Sequence, residues 1–381
     1  TDAQGASEWS RTFGGASTDE ALGALETKDH TGYVIASRTG SFGAGSRDLM
    51  LTRLDRSGNV LWSKTYGGSG DDQTLSFNYT NDGYILTGGT TGFSAGSLKI
   101  YLVRVDTIGN LLFSKTYGSV EGHDARFSAQ TSDGGFLTAG QIVSGSQRRI
   151  LLLKTTAAGS FSWMKQYQGS PNMIDVTFHI IDHGQSIVLT GSSTSFSTAH
   201  DIDGFVIKTD MSGNLKWAKT YTGPNVADDL FLFNVEKNGT MTAVGNTNSF
   251  SGSRSIWLVK MDSSGNILWS RATGGTGDEQ TRTLDHAGNG YIIGSYSTSF
   301  SGGNYDFLLT RADANGQSGC HEQMVQATAT TVFPLVTNIT PFSAAVATQV
   351  HSVTLPSLSL NLQAQDVCGM GKKGIRNEEL K

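Results

Sequence analysis

One aromatic phrase, written six times at intervals of 50 to 54 residues, predicts an all-β chain folded as a six-bladed β-propeller. The phrase is clearest as RLDRSGNVLWSKTYGG at Arg53–Gly68 and KMDSSGNILWSRATGG at Lys260–Gly275, and its aromatic falls at Trp9, Trp62, Phe113, Trp163, Trp217 and Trp269. Two further observations agree. The intervening runs are short, rich in β-branched and aromatic residues, and bounded by Gly, Asn, Asp or Ser, as strands joined by hairpins are. No segment sustains a 3.6-residue apolar period of helical length. A β-solenoid is the rival, but its coils are shorter and stack parallel strands, whereas hairpin turns dominate this chain.

Within each unit the elements follow in one order. After the aromatic phrase comes a Gly-rich stretch with an Asp, then an alternating run, a turn such as NDGY, a second run such as YILTGGT, a loop such as TSFSGG and a third run such as DFLLTRAD. These are strands A, B and C, and the next aromatic phrase is strand D. VRVDTIGNLLFSKTY spells the C–D hairpin out, with Gly-Asn at the turn. Full blades run from about Glu20 to Gly68 and onward in the same frame. The sixth, starting near Asp278, has A, B and C, but at ANGQSGCHEQ its aromatic phrase is missing. The fragment SEWSRTFGG at the N-terminus would supply it. The expectation is a propeller over residues 1–317, closed by an N-terminal strand at about 8–14, with Trp9 to Phe13 pairing with roughly Phe307 to Asp313.

Residues 318–381 break the pattern. They are Thr/Val/Ala-rich, almost uncharged as far as residue 365, and hold three of the chain's five prolines. They read as a C-terminal β-rich extension ending in a polar stretch. Cys320 and Cys368, the only cysteines, flank this extension and suggest a disulfide clasp in an oxidising compartment. Exposed apolar strands aggregate unless paired, so the extension is expected to dock on a neighbouring molecule through Val332, Phe333, Val336, Ile339 and Phe342.

Composition narrows the function classes. Charged residues make up 16% of the chain and the net charge is −5, with no basic stripe, which argues against nucleic acid. No run of about twenty apolar residues exists to span a bilayer. The 48 glycines, the Ser/Thr-rich surface and a start at Thr1 rather than Met fit a mature secreted bacterial protein. Catalytic signatures are absent: there is no Gly-x-Ser-x-Gly elbow, Walker loop or His-Glu-x-x-His. Asn78, Asn238 and Asn338 lie in Asn-x-Thr sequons, which matter only in a host that glycosylates them.

Repeated residues are expected to serve the blade. Asp19, Asp72, Asp124, Asp175, Asp229 and Asp278 or Glu279 would ring one mouth of the channel. Such a ring could hold Ca²⁺ through oxygen ligands, but capping of the turns between blades is preferred. Asp55, Asp106, Asp210, Asp262 and Asp313 are turn residues of the C–D hairpin. Trp62 with Tyr66 and Trp217 with Tyr221 could stack on sugars, although packing between blades is the favoured role. Irregular positions are better functional candidates: Arg148 and Arg149 in blade three, and the inserted loop of blade four with His200, Asp201 and Asp203. Asp201 and Asp203 are the weak metal candidates. His179 and His183 have no companions at ligand spacing.

The phrase DRSGNVLWSKTYGG resembles the approximately fifty-residue D-x-x-G-N-x-x-W-x-K-x-Y-G-G blades of secreted or cell-surface bacterial β-propeller repeat proteins, over about four-fifths of the chain. The resemblance implies a propeller at the cell surface, often followed by a Thr/Pro-rich β segment, and specifies no activity. Quinoprotein dehydrogenase repeats are also similar, but their eight blades and quinone–calcium site have no counterpart in this chain. Kelch repeats share the period, yet their recurring Gly-Gly on the second strand is kept only once, at Gly88–Gly89. The function expected is a non-enzymatic extracellular structural or interaction protein whose extension docks on a neighbour, itself included, so as to build a surface fibre. A carbohydrate-binding propeller is the alternative, and a polysaccharide hydrolase or lyase a minor one.

Overall fold

The computed structural model describes residues 8–93, 97–170, 175–182, 184–196, 201–223, 228–236, 238–248, 253–300, 304–340, 342–345, 349–352 and 357–359. Its regular elements are all strands, and they form the six-bladed β-propeller expected. After β1 (Arg11–Phe13), blade one comprises β2 (Asp19–Glu26), β3 (Gly32–Thr39), β4 (Asp48–Asp55) and β5 (Val60–Gly67). Blade two follows with β6 (Asp72–Thr80), β7 (Gly83–Thr90), β8 (Lys99–Asp106) and β9 (Leu111–Gly118). Blade three has β10 (Gly122–Gln130), β11 (Phe136–Ser144), β12 (Gln147–Thr155) and β13 (Phe161–Gln168). Blade four has β14 (Asp175–Asp182), β15 (Ile187–Ser193), β16 (Asp203–Thr209) and β17 (Leu215–Thr222). Blade five has β18 (Asp228–Val235), β19 (Met241–Thr247), β20 (Ser255–Met261) and β21 (Ile267–Thr273). Blade six stops at three strands, β22 (Glu279–Ala287), β23 (Gly290–Ser297) and β24 (Asp306–Ala312).

Each blade is an antiparallel meander, and its A–B pair carries one register shift early in strand A, from Ala21/Gly23 in blade one to Thr281/Thr283 in blade six. A bulge bends and twists its strand. Repeated at the same place in all six, it gives every innermost strand the same curvature. A second shift at the C–D hairpin leaves Leu61, Leu112 and Leu268 outside the pairing, which accounts for these exposed leucines.

The aromatic phrase is a set of contacts from one blade to the next. Asp55 Oδ1 accepts the backbone N–H groups of Ser57 and Asn59, each at 2.8 Å, and Gly58 takes φ +75°. Asp106, Asp210, Asp262 and Asp313 cap the corresponding turns in the same way, while Thr156 serves in blade three. The preceding strand D then locks onto the turn. Lys64 Nζ reaches Asn110 Oδ1 at 3.0 Å, the Tyr66 hydroxyl donates to the Gly109 carbonyl at 2.7 Å, and Trp62 lies over Gly109 itself. A Cβ at Gly109 would stand 2.9 Å from both Trp62 and the Tyr66 hydroxyl, at φ +76°. Gly109→Ala is therefore expected to cost about 2–4 kcal/mol, combining left-handed backbone strain with overpacking. Gly145→Ala meets nothing within 4 Å and should cost only about 1–2 kcal/mol by thermal unfolding. Equal losses at the two sites would refute the role of the tryptophan seat.

Five apolar clusters fill five blade interfaces. Leu49, Leu51, Tyr84 and Tyr101 join blades one and two, and Val206, Tyr221, Met241 and Trp257 join blades four and five. The other three join two to three, three to four, and five to six. Among the described residues no such cluster joins six to one.

The C-terminal extension runs back around the outside of the ring. Its strands β25 (Glu322–Met324), β26 (Thr328–Val332), β27 (Leu335–Ile339), β28 (Phe342–Ala345) and β29 (Gln349–Ser352) pair antiparallel with the outer strands of blades five, four, three, two and one. The last, β30 (Ser357–Ser359), pairs with β1. Two expectations are corrected. The extension is spent on its own propeller, because each strand D offered it an unpaired edge within reach. Trp9–Phe13 does not pair with Phe307–Asp313 to complete blade six: β1 pairs with β30, and β24 pairs with β23 alone among the described strands.

Candidate interaction surface

The seam between blade six and blade one is where the repeat's own chemistry is left unused. Strand β24 pairs with β23 on one side, and no described strand pairs with its other edge. Phe307 is 71% exposed and Leu309 46%, whereas their counterparts Leu49 and Leu51, Ile100 and Leu102, and Ile150 and Leu152 are buried against the following blade. Tyr296 and Tyr305 add to the same exposed face. On the other side of the seam Tyr33 and Ile35 are half-buried, whereas Tyr84 and Leu86 at the same positions of blade two are buried.

Strand β1 sits on blade one as every strand D sits on the blade that follows it. Trp9 lies over Gly58, its Nε1 donates to the Arg56 carbonyl at 2.8 Å, and Arg11 reaches Asn59 Oδ1 at 2.8 Å, just as Lys64 reaches Asn110. The place of Tyr66 is taken by Phe13, which has no hydroxyl to offer.

The other candidates are distributed as follows. Val332 is buried with Ala218 between blades three and four, where Val336 also packs, and Ile339 packs between blades two and three. They hold the extension down and are unavailable to a neighbour. Phe333 is 86% exposed. Phe342 pairs with Gly118, and its side chain lies outside the described residues. Arg149 is engaged by Glu121 at 2.5 Å and Gln166 at 3.0 Å, and Arg148 lies on β12 opposite Val143. His200, His183 and the side chain of His179 lie outside the described residues, as does Cys368, while Cys320 is disulfide-bonded.

The carboxylates at the head of strand A act as turn caps. Asp19 accepts from Gly15 N and Ser41 Oγ, both at 2.7 Å, and Asp72 accepts from Gly68 N at 2.6 Å and from the Thr90 hydroxyl. Glu279 rather than Asp278 does this in blade six, through Gly275 N at 3.2 Å and Ser297 Oγ at 2.9 Å. Two assignments shift by one residue: Asp228, not Asp229, caps blade five, and in blade three His123, not Asp124, holds the corresponding place, its Nδ1 donating to the Glu121 carbonyl at 3.0 Å beside Ser119. Asp124 is instead buried beside Gln141 and Arg126, and Asp175's side chain lies outside the described residues. Among the described residues no three or more His, Cys, Asp or Glu side chains gather to hold an ion.

Burial pushes the Asp203 carboxyl up to about 6, opposed by a hydrogen bond from Thr222 and reinforced by Asp228 and Asp201. A carboxyl whose folded value exceeds its unfolded one stabilises the fold while protonated. That contribution is present below about pH 4 and is lost as the pH rises through about 6. Asp203→Asn is thus expected to gain about 1 kcal/mol at neutral pH, after allowance for solvent screening, and nothing near pH 4. Denaturant titrations at both pH values check this. A gain that does not depend on pH would refute it.

The inter-blade tyrosines Tyr66, Tyr117, Tyr167 and Tyr221 are fully buried, and Trp62 and Trp217 pack half-buried beside the same clusters. The chain matches no family model. No curated protein matches it either. Among the described residues no helix is long and apolar enough to cross a membrane.

Proposed function

We propose that the protein is a non-enzymatic, extracellular structural and interaction protein of bacterial type, a rigid propeller that engages a neighbouring protein by β-strand addition at the seam. One observation carries the reading: blade six presents a full-length strand edge with an adjoining apolar face, and every other blade covers that position with two further strands. Backbone groups along such an edge supply affinity, and the side-chain pockets beside it supply selectivity. The resemblance of the repeat to secreted propeller proteins supports the extracellular setting. With its extension wrapped on itself, the molecule keeps blade six as its docking edge.

A fluorescently labelled peptide of sequence SEWSRTFGG, added to dilute full-length protein, should bind saturably by anisotropy. Leu309→Asp should weaken that binding at least tenfold, since an apolar contact is replaced by a buried charge. No saturable binding, or binding unaffected by Leu309→Asp, would overturn the reading.

A further inference from the structure

The two incomplete sheets add up to one blade. Blades one to five each consist of strands A, B, C and D followed by one strand of the extension, as in β2-β3-β4-β5-β29. Blade six is β22-β23-β24, which is A, B and C alone. The two-stranded sheet β1-β30 is a strand D followed by a strand of the extension. Joined edge to edge, they would make a sixth five-stranded blade of the same composition as the rest.

The apolar faces are complementary in the same sense. Phe307 and Leu309 stand where Leu49 and Leu51 meet Tyr84 and Tyr101 of the next blade, and Tyr33 and Ile35 stand where Tyr84 and Leu86 receive the previous one. Both halves of the missing interface are carried by one chain, at opposite ends of its blade series. A single chain leaves them apart, with β1 seated on blade one and β24 paired only inward. The extension does not help, because it passes from β24 directly to blade five and leaves blade six outside its circuit.

We propose that the occupant of the blade-six edge is the β1-β30 ribbon and blade-one face of a second copy of this chain. The inference rests on the strand-accepting reading above. The contact is heterologous, since blade six of one copy meets blade one of the next. Each added copy therefore presents a fresh blade-six edge, and association propagates head to tail as an open filament. The register follows from the repeat. In blade one Leu49 pairs with Tyr66, Leu51 with Lys64 and Arg53 with Trp62. By the same alignment Phe307 pairs with Phe13, Leu309 with Arg11 and Arg311 with Trp9 of the neighbouring copy. Thr310 then faces Ser10, as Thr52 faces Ser63 with their hydroxyls 3.0 Å apart.

The test is cross-linking between full-length chains. One variant carries Ser10→Cys, a second carries Thr310→Cys, and the two are mixed and oxidised. A reducible product of twice the chain mass should form in the mixture, with neither variant forming it comparably alone. The chain carrying both substitutions should give a ladder of multiples on a non-reducing gel, and Leu309→Asp should reduce the ladder at least tenfold. Phe307 and Leu309 are exposed in the single chain, so substitutions there are not expected to disturb the fold. A doubly substituted chain that cross-links only within itself would show that β1 closes its own ring, and would overturn the inference. Absence of cross-linking in a protein that still binds SEWSRTFGG would also overturn it, leaving strand addition by some other partner in place. Loss of both would remove the reading of function as well.

Discussion

A chain ending at Ser318 is expected to be markedly less stable than the full protein and to aggregate. The extension covers the outer edge of five blades, and its removal would expose five strand edges at once, each with unpaired N–H and C=O groups. It also strips apolar side chains from the blade interfaces. Val332 is buried between blades three and four, and Val336 and Ile339 pack against neighbouring clusters. At about 1.5–3 kcal/mol for full burial of such a side chain, and less for the two that are half-buried, the loss amounts to roughly 3–6 kcal/mol before edge exposure is considered. Thermal unfolding should shift down by about 10 °C or more. Val332→Asp is the subtler form of the same experiment. It keeps the chain whole but places a carboxylate in an apolar interface, so β26 should detach and become sensitive to limited proteolysis around residues 326–334, with the blades intact. A truncated chain as soluble and heat-stable as the parent, together with a protease-resistant Val332→Asp, would mean that the extension does not lie on the propeller in solution.

The wrapping of the extension on its own propeller reverses an expectation drawn from sequence, and the reason is physical. The blade phrase was legible because every residue in it works within a few positions of itself or one repeat away: Asp55 caps its own turn, and Lys64 and Tyr66 reach the turn of the next blade. Such contacts recur with the period, so the period exposes them. The pairings of the extension do not recur. Thr328–Val332 meets Ala218–Thr222 from more than a hundred residues away, through backbone groups that every strand possesses. A Thr/Val alternation specifies which face of a strand is apolar and leaves the partner unstated. SEWSRTFGG was recognisable as a strand D for the same reason that its partner, β30, was not. The turn caps show the finer limit. The four-residue spacing from Gly15 to Asp19 and from Gly68 to Asp72 points to position 123 when counted from Ser119, but there it meets an imidazole that donates to Glu121 instead of a capping carboxylate. In blade five the spacing from Gly223 to Asp228 is five residues, so the repeat frame does not mark Asp228.

Trp257→Ala is expected to cause the largest loss of stability among single substitutions that leave the backbone undisturbed. Trp257 lies outside the repeated phrase, at the position on strand C held by Tyr101, Leu151 and Phe205 in other blades, and it is fully buried. Its ring fills the interface between blades four and five with Val206, Tyr221, Leu230 and Met241. Its Nε1 donates to Ser270 Oγ at 2.8 Å, so the indole's polar atom is satisfied inside the core. Truncation leaves a cavity and an unpaired hydroxyl, which together cost about 3–5 kcal/mol. Trp257→Phe keeps most of the volume and should cost about 1–2 kcal/mol, and removing the hydroxyl left without its donor by adding Ser270→Ala should recover part of that. Chemical denaturation followed by intrinsic fluorescence reads all three. The interface also tests how the blades cooperate. Stacked repeats couple through their nearest neighbours, so a weakened blade four–five contact in a ring with an incomplete sixth blade should separate blades five and six from the rest before global unfolding. Hydrogen exchange would then show β18 to β24 losing protection together. If Trp257→Ala lowers protection evenly around all six blades, the seam is closed in solution and the ring unfolds as one unit.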